Sequence, residues 1–203
     1  MNKFQYSHEL IALLFNFTQD TMGTGFMMRS SDFDSVGGFS SYPKMMFADH
    51  ELLFKLTELN YSVTAIEECF SYREHDSISV LVSAKDYQDA FLKYLTFLKK
   101  QSLLSIKVAL VFERHSSKYI KTICKGLIIR EITRYKKDNK NSVNKLVNNF
   151  KKIHEELIPK NNWSEDFLLR FYILIDRLFF GRFFLKQTYR IKFKLKKTIS
   201  RIG

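Results

Sequence analysis

The sequence predicts an α/β fold class: a mixed α/β segment over residues 1–81, followed by an all-helical, basic region over residues 82–203. Three observations predict it. An amphipathic stretch from Asp49, with Leu52, Leu53, Leu56 and Leu59 on one helical face, runs directly into the β-branched segment YSVTAIEE, the order of a helix followed by a strand. From Ser83 onward apolar residues recur at helical spacing, and the whole chain holds only two prolines to interrupt them. The charge also changes sign: residues 1–100 carry nine Lys and Arg against 13 Asp and Glu, while residues 101–203 carry 24 against eight.

Each element has its own signal. QYSHELIALLFNF, residues 5–17, predicts a short helix. FMMR, after the loosening Gly23 and Gly25, predicts a short strand, and SSDFDSV a single helical turn. Gly37 and Gly38 predict a turn that needs positive φ or a close backbone approach. The helix from Asp49 is predicted to end at Asn60, a residue type that tolerates the left-handed conformation. CFSYREH predicts a second strand after YSVTAIEE. Ser83 and Asp86 form a capping pattern, and Tyr87, Ala90, Phe91, Tyr94, Leu95 and Leu98 then share one face. Helical stretches follow over about residues 102–115 and over SKYIKTICKGLIIREITRY, the latter placing Ile120, Ile123, Cys124, Leu127, Ile128 and Ile132 on one side. KKDNKNS predicts a polar loop. Ser142 starts a helix that stops at Pro159, and Ser164, with Glu165 and Asp166 in the first turn, starts the last one.

Composition narrows the function classes. A hydrophobic content of 45% supports the core of one domain, or of one domain with an appendage. Cys69 and Cys124 lie far apart in no metal-binding spacing, which predicts free thiols in a reducing compartment. The apolar run Leu10 to Phe15 follows Glu9 and makes a poor signal peptide. The longest apolar stretch, residues 167–185, is interrupted by Arg170, Asp176, Arg177 and Arg182, so no spanning helix is predicted. His8, His50, His115 and His154 form no ligand set, and no Gly-rich nucleotide loop or Ser/His/Asp arrangement occurs.

Asp49 admits two readings. One is a helix cap, a carboxylate satisfying free amides at the helix start. The other is a general base facing a cleft, favoured by two neighbours in the sequence: the Gly37-Gly38-Phe39 turn upstream, and SYREHDSIS downstream, which supplies Arg73 and His75 two residues apart. In order, GFMMRSSDFDSVGGF, FADHELLFKLTELNYSV and FSYREHDSIS resemble the C-terminal half of the catalytic domain of family 2 glycosyltransferases. The matching residues are Gly25, Arg29, Val36, Gly37, Gly38, Phe39, Asp49, Glu51, Leu52, Tyr72, Arg73, His75 and Ser79, over roughly residues 22–80.

That resemblance implies a partial GT-A fold. It implies Asp49 as catalytic base, with Gly25, Arg29, Gly37, Gly38, Phe39, Glu51 and Arg73 binding substrate. It further implies His75 at a divalent metal (Mn or Mg), and a nucleotide-sugar as donor. In such an inverting transfer a carboxylate removes the acceptor hydroxyl's proton, while cationic groups stabilise the leaving diphosphate. Three positions depart from the pattern: Ala48 replaces a usual Glu, Lys55 a common Arg and Asn60 a common Gly. The nucleotide-binding βαβ units and the Asp-x-Asp segment of that family do not precede Gly25. The chain is therefore expected to be the C-terminal portion of an enzyme, begun at an internal methionine and inactive alone unless a separate chain supplies the donor-binding half.

The C-terminal tail adds a second feature. After Asp176 nine Lys and Arg follow with no acidic residue, interleaved with aromatic and aliphatic side chains. Residues 177–203 suit an anionic membrane surface, ahead of a solvated outer face on a packed helix. Nucleic acid ranks third, because no groove-reading motif or stacking platform is present. The expected function is sugar transfer from a nucleotide-sugar to a hydroxyl of a glycan acceptor, in surface polysaccharide or lipopolysaccharide synthesis. The expected place is cytoplasmic, peripheral at the inner face of the cell membrane. The alternative is a non-enzymatic basic helical module on a membrane surface or nucleic acid.

Overall fold

The computed structural model describes residues 3–19, 26–64, 82–133, 142–159, 163, 167–178 and 187. Over these residues the element order is β1 (Lys3–Gln5), α1 (Ser7–Phe15), α2 (Ser30–Ser35), a 3-10 turn (Pro43–Met45), α3 (Ala48–Leu59), β2 (Ser62–Thr64), α4 (Ala84–Ser102), α5 (Ile106–Thr133), α6 (Ser142–Leu157) and α7 (Phe167–Arg177).

The predicted α/β class, and with it the partial GT-A fold, is overturned. Of the described residues 75% are helical, in seven helices, and the sheet has two strands. The pairing is antiparallel, with Phe4 opposite Val63, whereas βαβ units build parallel sheets. Among the described residues each strand spans three residues. FMMR, residues 26–29, takes no strand among the described residues. The second predicted strand, CFSYREH, lies outside the described residues, as do KKDNKNS up to residue 141 and most of the tail beyond Leu178.

By contact the chain divides into two units, residues 1–119 and residues 120–203, so that the division falls inside α5. The first unit holds the candidate site. Its core joins Leu10 and Leu14 of α1 to Leu53 of α3. Phe15 stacks on Tyr119, with centroids 4.5 Å apart, and Phe91 tilts against the same tyrosine at 5.6 Å. The predicted face of α4 is the buried one: Ala90, Phe91, Tyr94, Leu95 and Leu98 are all inaccessible. Ser83 caps α4 as predicted, its Oγ accepting the Asp86 N–H at 3.0 Å.

The second unit buries Ile120, Cys124, Leu127, Ile128 and Ile132 of α5, the side predicted from spacing. In α6, Val143, Leu146, Val147, Phe150, Ile153 and Leu157 are buried, and the helix packs on α7, which buries Leu169, Tyr172 and Ile175. Among the described residues no helix is long and apolar enough to cross a membrane.

Candidate functional site

The site grows from one local device, the end of α2. The Gly38 N–H donates to Phe33 O at 2.9 Å and the Gly37 N–H to Asp34 O at 3.0 Å. This is the Schellman arrangement that closes a helix, and it requires a left-handed residue at the Gly37 position. Gly37 has φ 76° and Gly38 φ 62°. A β-carbon on Gly38 would stand 2.9 Å from the tip of the half-buried Phe33 ring, so a side chain there needs that ring to shift as well as a left-handed backbone. Phe39 then leaves the turn half-exposed, edge-on to Phe33 at 5.6 Å.

The chain from Ser40 to Phe47 is held by a buried carboxylate. Glu51, only 5% exposed, accepts hydrogen bonds from the Ser40 hydroxyl and the Tyr42 phenol and pairs with Lys55 at 2.7 Å. Lys55 also donates to Ser40 Oγ at 3.0 Å. Burial alone would raise the Glu51 carboxyl. Hydrogen bonds from Lys55, Ser40 and Tyr42 and the Lys55 charge outweigh it and hold the group below the usual carboxylate range. The Tyr42 phenol is pushed up by burial first, then by its bond to Glu51 and that residue's charge. From α4, Lys93 donates to Ser41 O and lies over the Tyr42 ring at 4.9 Å.

The same loop is strained. Lys44, Met45 and Phe47 have φ of 53°, 58° and 65°, and none is glycine. Each such residue costs about 1–2 kcal/mol, and clusters of them occur where a fixed geometry serves a site. Packing holds Phe47 there. Its ring stacks on Tyr94 at 5.3 Å with planes 8° apart, and meets Phe91 at 5.5 Å and Tyr87 at 5.3 Å.

Phe47 is the residue before the first turn of α3, and it makes no side-chain cap. Asp49 is therefore not the N-cap; it is the second residue of the helix. Its Oδ1 accepts the His50 N–H at 2.9 Å, which satisfies one free amide and sets the carboxylate at the positive end of the helix. Asp49 is half-buried, not sealed in the core. The His50 ring lies edge-on to Phe47 at 5.6 Å and to Tyr94 at 5.7 Å. Tyr94 is fully buried, its phenol pushed up by burial and then by the negative fields of Tyr42, Asp49 and Glu51. At its other end α3 closes on Asn60 with φ −152°, an extended residue where the sequence predicts a left-handed one.

Of the residues implied by resemblance, Gly37, Gly38, Phe39, Asp49 and Glu51 come together in one loop-and-helix unit. Arg29 is exposed at the opposite end of α2 from Gly37. Gly25, Arg73 and His75 lie outside the described residues. Among the described residues no three His, Cys, Asp or Glu side chains converge; His75, the residue the resemblance puts at a metal, is not among them. Sequence reasoning missed Ser40, Tyr42, Phe47 and Lys93. For Lys55 a signal existed, its spacing of four from Glu51 on a helix. A groove of about 240 Å³ is lined by Val36, Phe54, Lys55, Glu58, Phe97 and Gln101. Compared with protein-family models, curated proteins and solved structures, the chain matches none.

Proposed function

We propose that the loop from Gly37 to Phe47 and the start of α3 form the acceptor side of a sugar-transferring site, with Asp49 as general base. The observation that carries this reading is the division of labour between two carboxylates on one helix. Glu51 is buried and engaged by three donors, so its role is to hold the loop, while Asp49 is half-buried and bonded to one backbone amide. A base needs the second environment: a fixed position with lone pairs open to a proton. In the proposed step an Asp49 oxygen takes the proton of an acceptor hydroxyl. The hydroxyl oxygen bonds to the anomeric carbon, and the carbon–oxygen bond to the diphosphate breaks, its electron pair leaving with the nucleotide. The donor-binding half belongs to a further polypeptide or a further part of a longer chain, and a divalent cation there would neutralise the leaving diphosphate.

The test is transfer of labelled sugar from a panel of nucleotide-sugars to immobilised glycans, by the chain alone and with the product of the reading frame that precedes it. Transfer is expected in the mixture. Asp49→Asn, which keeps shape and the bond to His50, is expected to lower the rate by about 10²–10⁴-fold with its melting temperature little changed. Retained activity in Asp49→Asn makes the carboxylate a helix-end group only. No transfer in any combination sinks the transferase reading itself.

A further inference from the structure

The corner between α4 and α5 carries four large aliphatic side chains turned to solvent. Leu103 is 80% exposed, Leu104 81%, Ile106 79% and Leu110 63%. Single exposed apolar residues are ordinary, but a cluster within one short segment marks an interaction surface. The core does not need these four. Leu98, Val108 and Phe112 already supply a buried face to the two helices, so the exposed set is a second apolar face at their junction.

The corner is also preformed. Leu103 N–H donates to Lys100 O at 3.1 Å, Leu104 N–H to Gln101 O at 3.0 Å and Ser105 N–H to Gln101 O at 3.1 Å, while Ala109 N–H reaches Ser105 O at 2.9 Å. The Ser102 hydroxyl donates to Lys99 O at 2.7 Å. Presenting the leucines therefore costs little further ordering of the chain. The charge nearest the tip is mainly positive, with Asp89 and Glu113 bounding the stretch. Residues 90–112 contain four lysines and no Asp or Glu, and Lys100 and Lys107 are exposed on either side of the tip. The carboxylate facing this end is Glu58, which lines a groove of about 490 Å³ with Ser105 and Lys107.

We propose that this corner inserts into an anionic phospholipid bilayer, Leu103, Leu104 and Ile106 entering the acyl boundary while Lys100 and Lys107 meet the headgroups. A bilayer presents that order of layers, negative outside and apolar beneath, to a convex tip. A protein partner for the same tip needs a matching apolar cavity, and nothing in the charge pattern calls for one. This inference is independent of the transferase reading and uses a different segment from the basic tail.

The full chain is to be tested by co-sedimentation with vesicles of mixed phosphatidylcholine and phosphatidylglycerol and with vesicles of phosphatidylcholine alone. Wild-type chain is expected to bind the mixed vesicles, and Leu103→Ser with Leu104→Ser to weaken binding by about tenfold per leucine without changing the circular dichroism spectrum. Lys100→Gln with Lys107→Gln is expected to weaken binding to the mixed vesicles only. A second measurement separates the corner from the tail: Leu104→Trp in a Trp163→Phe background should shift its emission to the blue on binding and be quenched by brominated acyl chains. An unshifted, unquenched Leu104→Trp on a vesicle-bound chain overturns the proposal, as does absence of vesicle binding. So does self-association abolished by the serine pair, which would make a second copy the occupant.

Discussion

Replacing Glu51 with Gln tests whether one buried carboxylate holds the candidate site together. The substitution keeps size and some hydrogen-bonding capacity but removes the charge that Tyr42, Ser40 and Lys55 address. A hydrogen bond to a charged group is worth roughly 1 kcal/mol more than a neutral one, and three donors are involved. The Lys55 share is discounted because its side chain is 27% exposed and screened by water. A loss of about 2–3 kcal/mol follows, which for a chain of this length lowers the melting temperature by roughly 5–10 °C. Thermal unfolding followed by circular dichroism measures it. A cycle with Tyr42→Phe apportions it, with an expected coupling of about 1 kcal/mol. If Glu51→Gln melts within about 1 °C of wild type, the network is an incidental surface pairing and the account of the loop is wrong.

Two further perturbations follow from the same geometry. The Glu51 carboxyl is lower in the folded chain than in the unfolded one, so its contribution is present above the ordinary Glu range and lost as pH falls through the folded value. Wild-type stability is therefore expected to drop on acidification below about pH 4.3, and Glu51→Gln to lack that share of the drop in acid titrations of unfolding. Gly37→Ala and Gly38→Ala should differ. The first meets open space and costs about 1 kcal/mol for its φ of 76°, whereas the second adds a 2.9 Å clash with Phe33 and costs roughly twice as much. Phe33→Leu should relieve Gly38→Ala and not Gly37→Ala; equal effects on both would remove the packing argument.

What was legible in the sequence was whatever depends on near neighbours. The apolar face of α4, the Ser83 cap, the glycine turn and the strand at Ser62–Thr64 are all set by spacing within a few residues. The fold class was not, because a strand's partner is a long-range matter: β2 pairs with Lys3–Gln5, and nothing in those three residues announces a strand. The end of α1 misled for a related reason. Phe17 takes the left-handed position, with φ 57°, that normally announces itself as glycine, so the helix stops at Phe15 with Asn16 as its cap. In the site, the sequence placed Asp49 at the start of a helix, where α3 has it as the second residue. The role of Glu51 was not legible, since Ser40 and Tyr42 reach it only once the turn is folded.

Helix geometry itself separates the two carboxylates, and Ala48 shows how. Two residues along a helix turn about 200°, so with Glu51 directed inward Asp49 must face away from it. Ala48, at the first position of α3, is 1% exposed and directly follows Phe47, whose ring stacks on Tyr94. The glycosyltransferase resemblance carries Glu at this position, and a Glu there would have to bury its carboxylate at a site that is 1% exposed, next to the left-handed Phe47. Ala48→Glu is therefore expected to destabilise by about 2–4 kcal/mol, through overpacking and an unpaired charge, and to loosen the loop that presents Asp49. The reading is checked by thermal unfolding together with near-ultraviolet circular dichroism, which reports the Phe47–Tyr94 stack. A folded Ala48→Glu chain of unchanged stability and aromatic signal would mean that α3 begins differently, and that the inward and outward assignments of Glu51 and Asp49 do not hold.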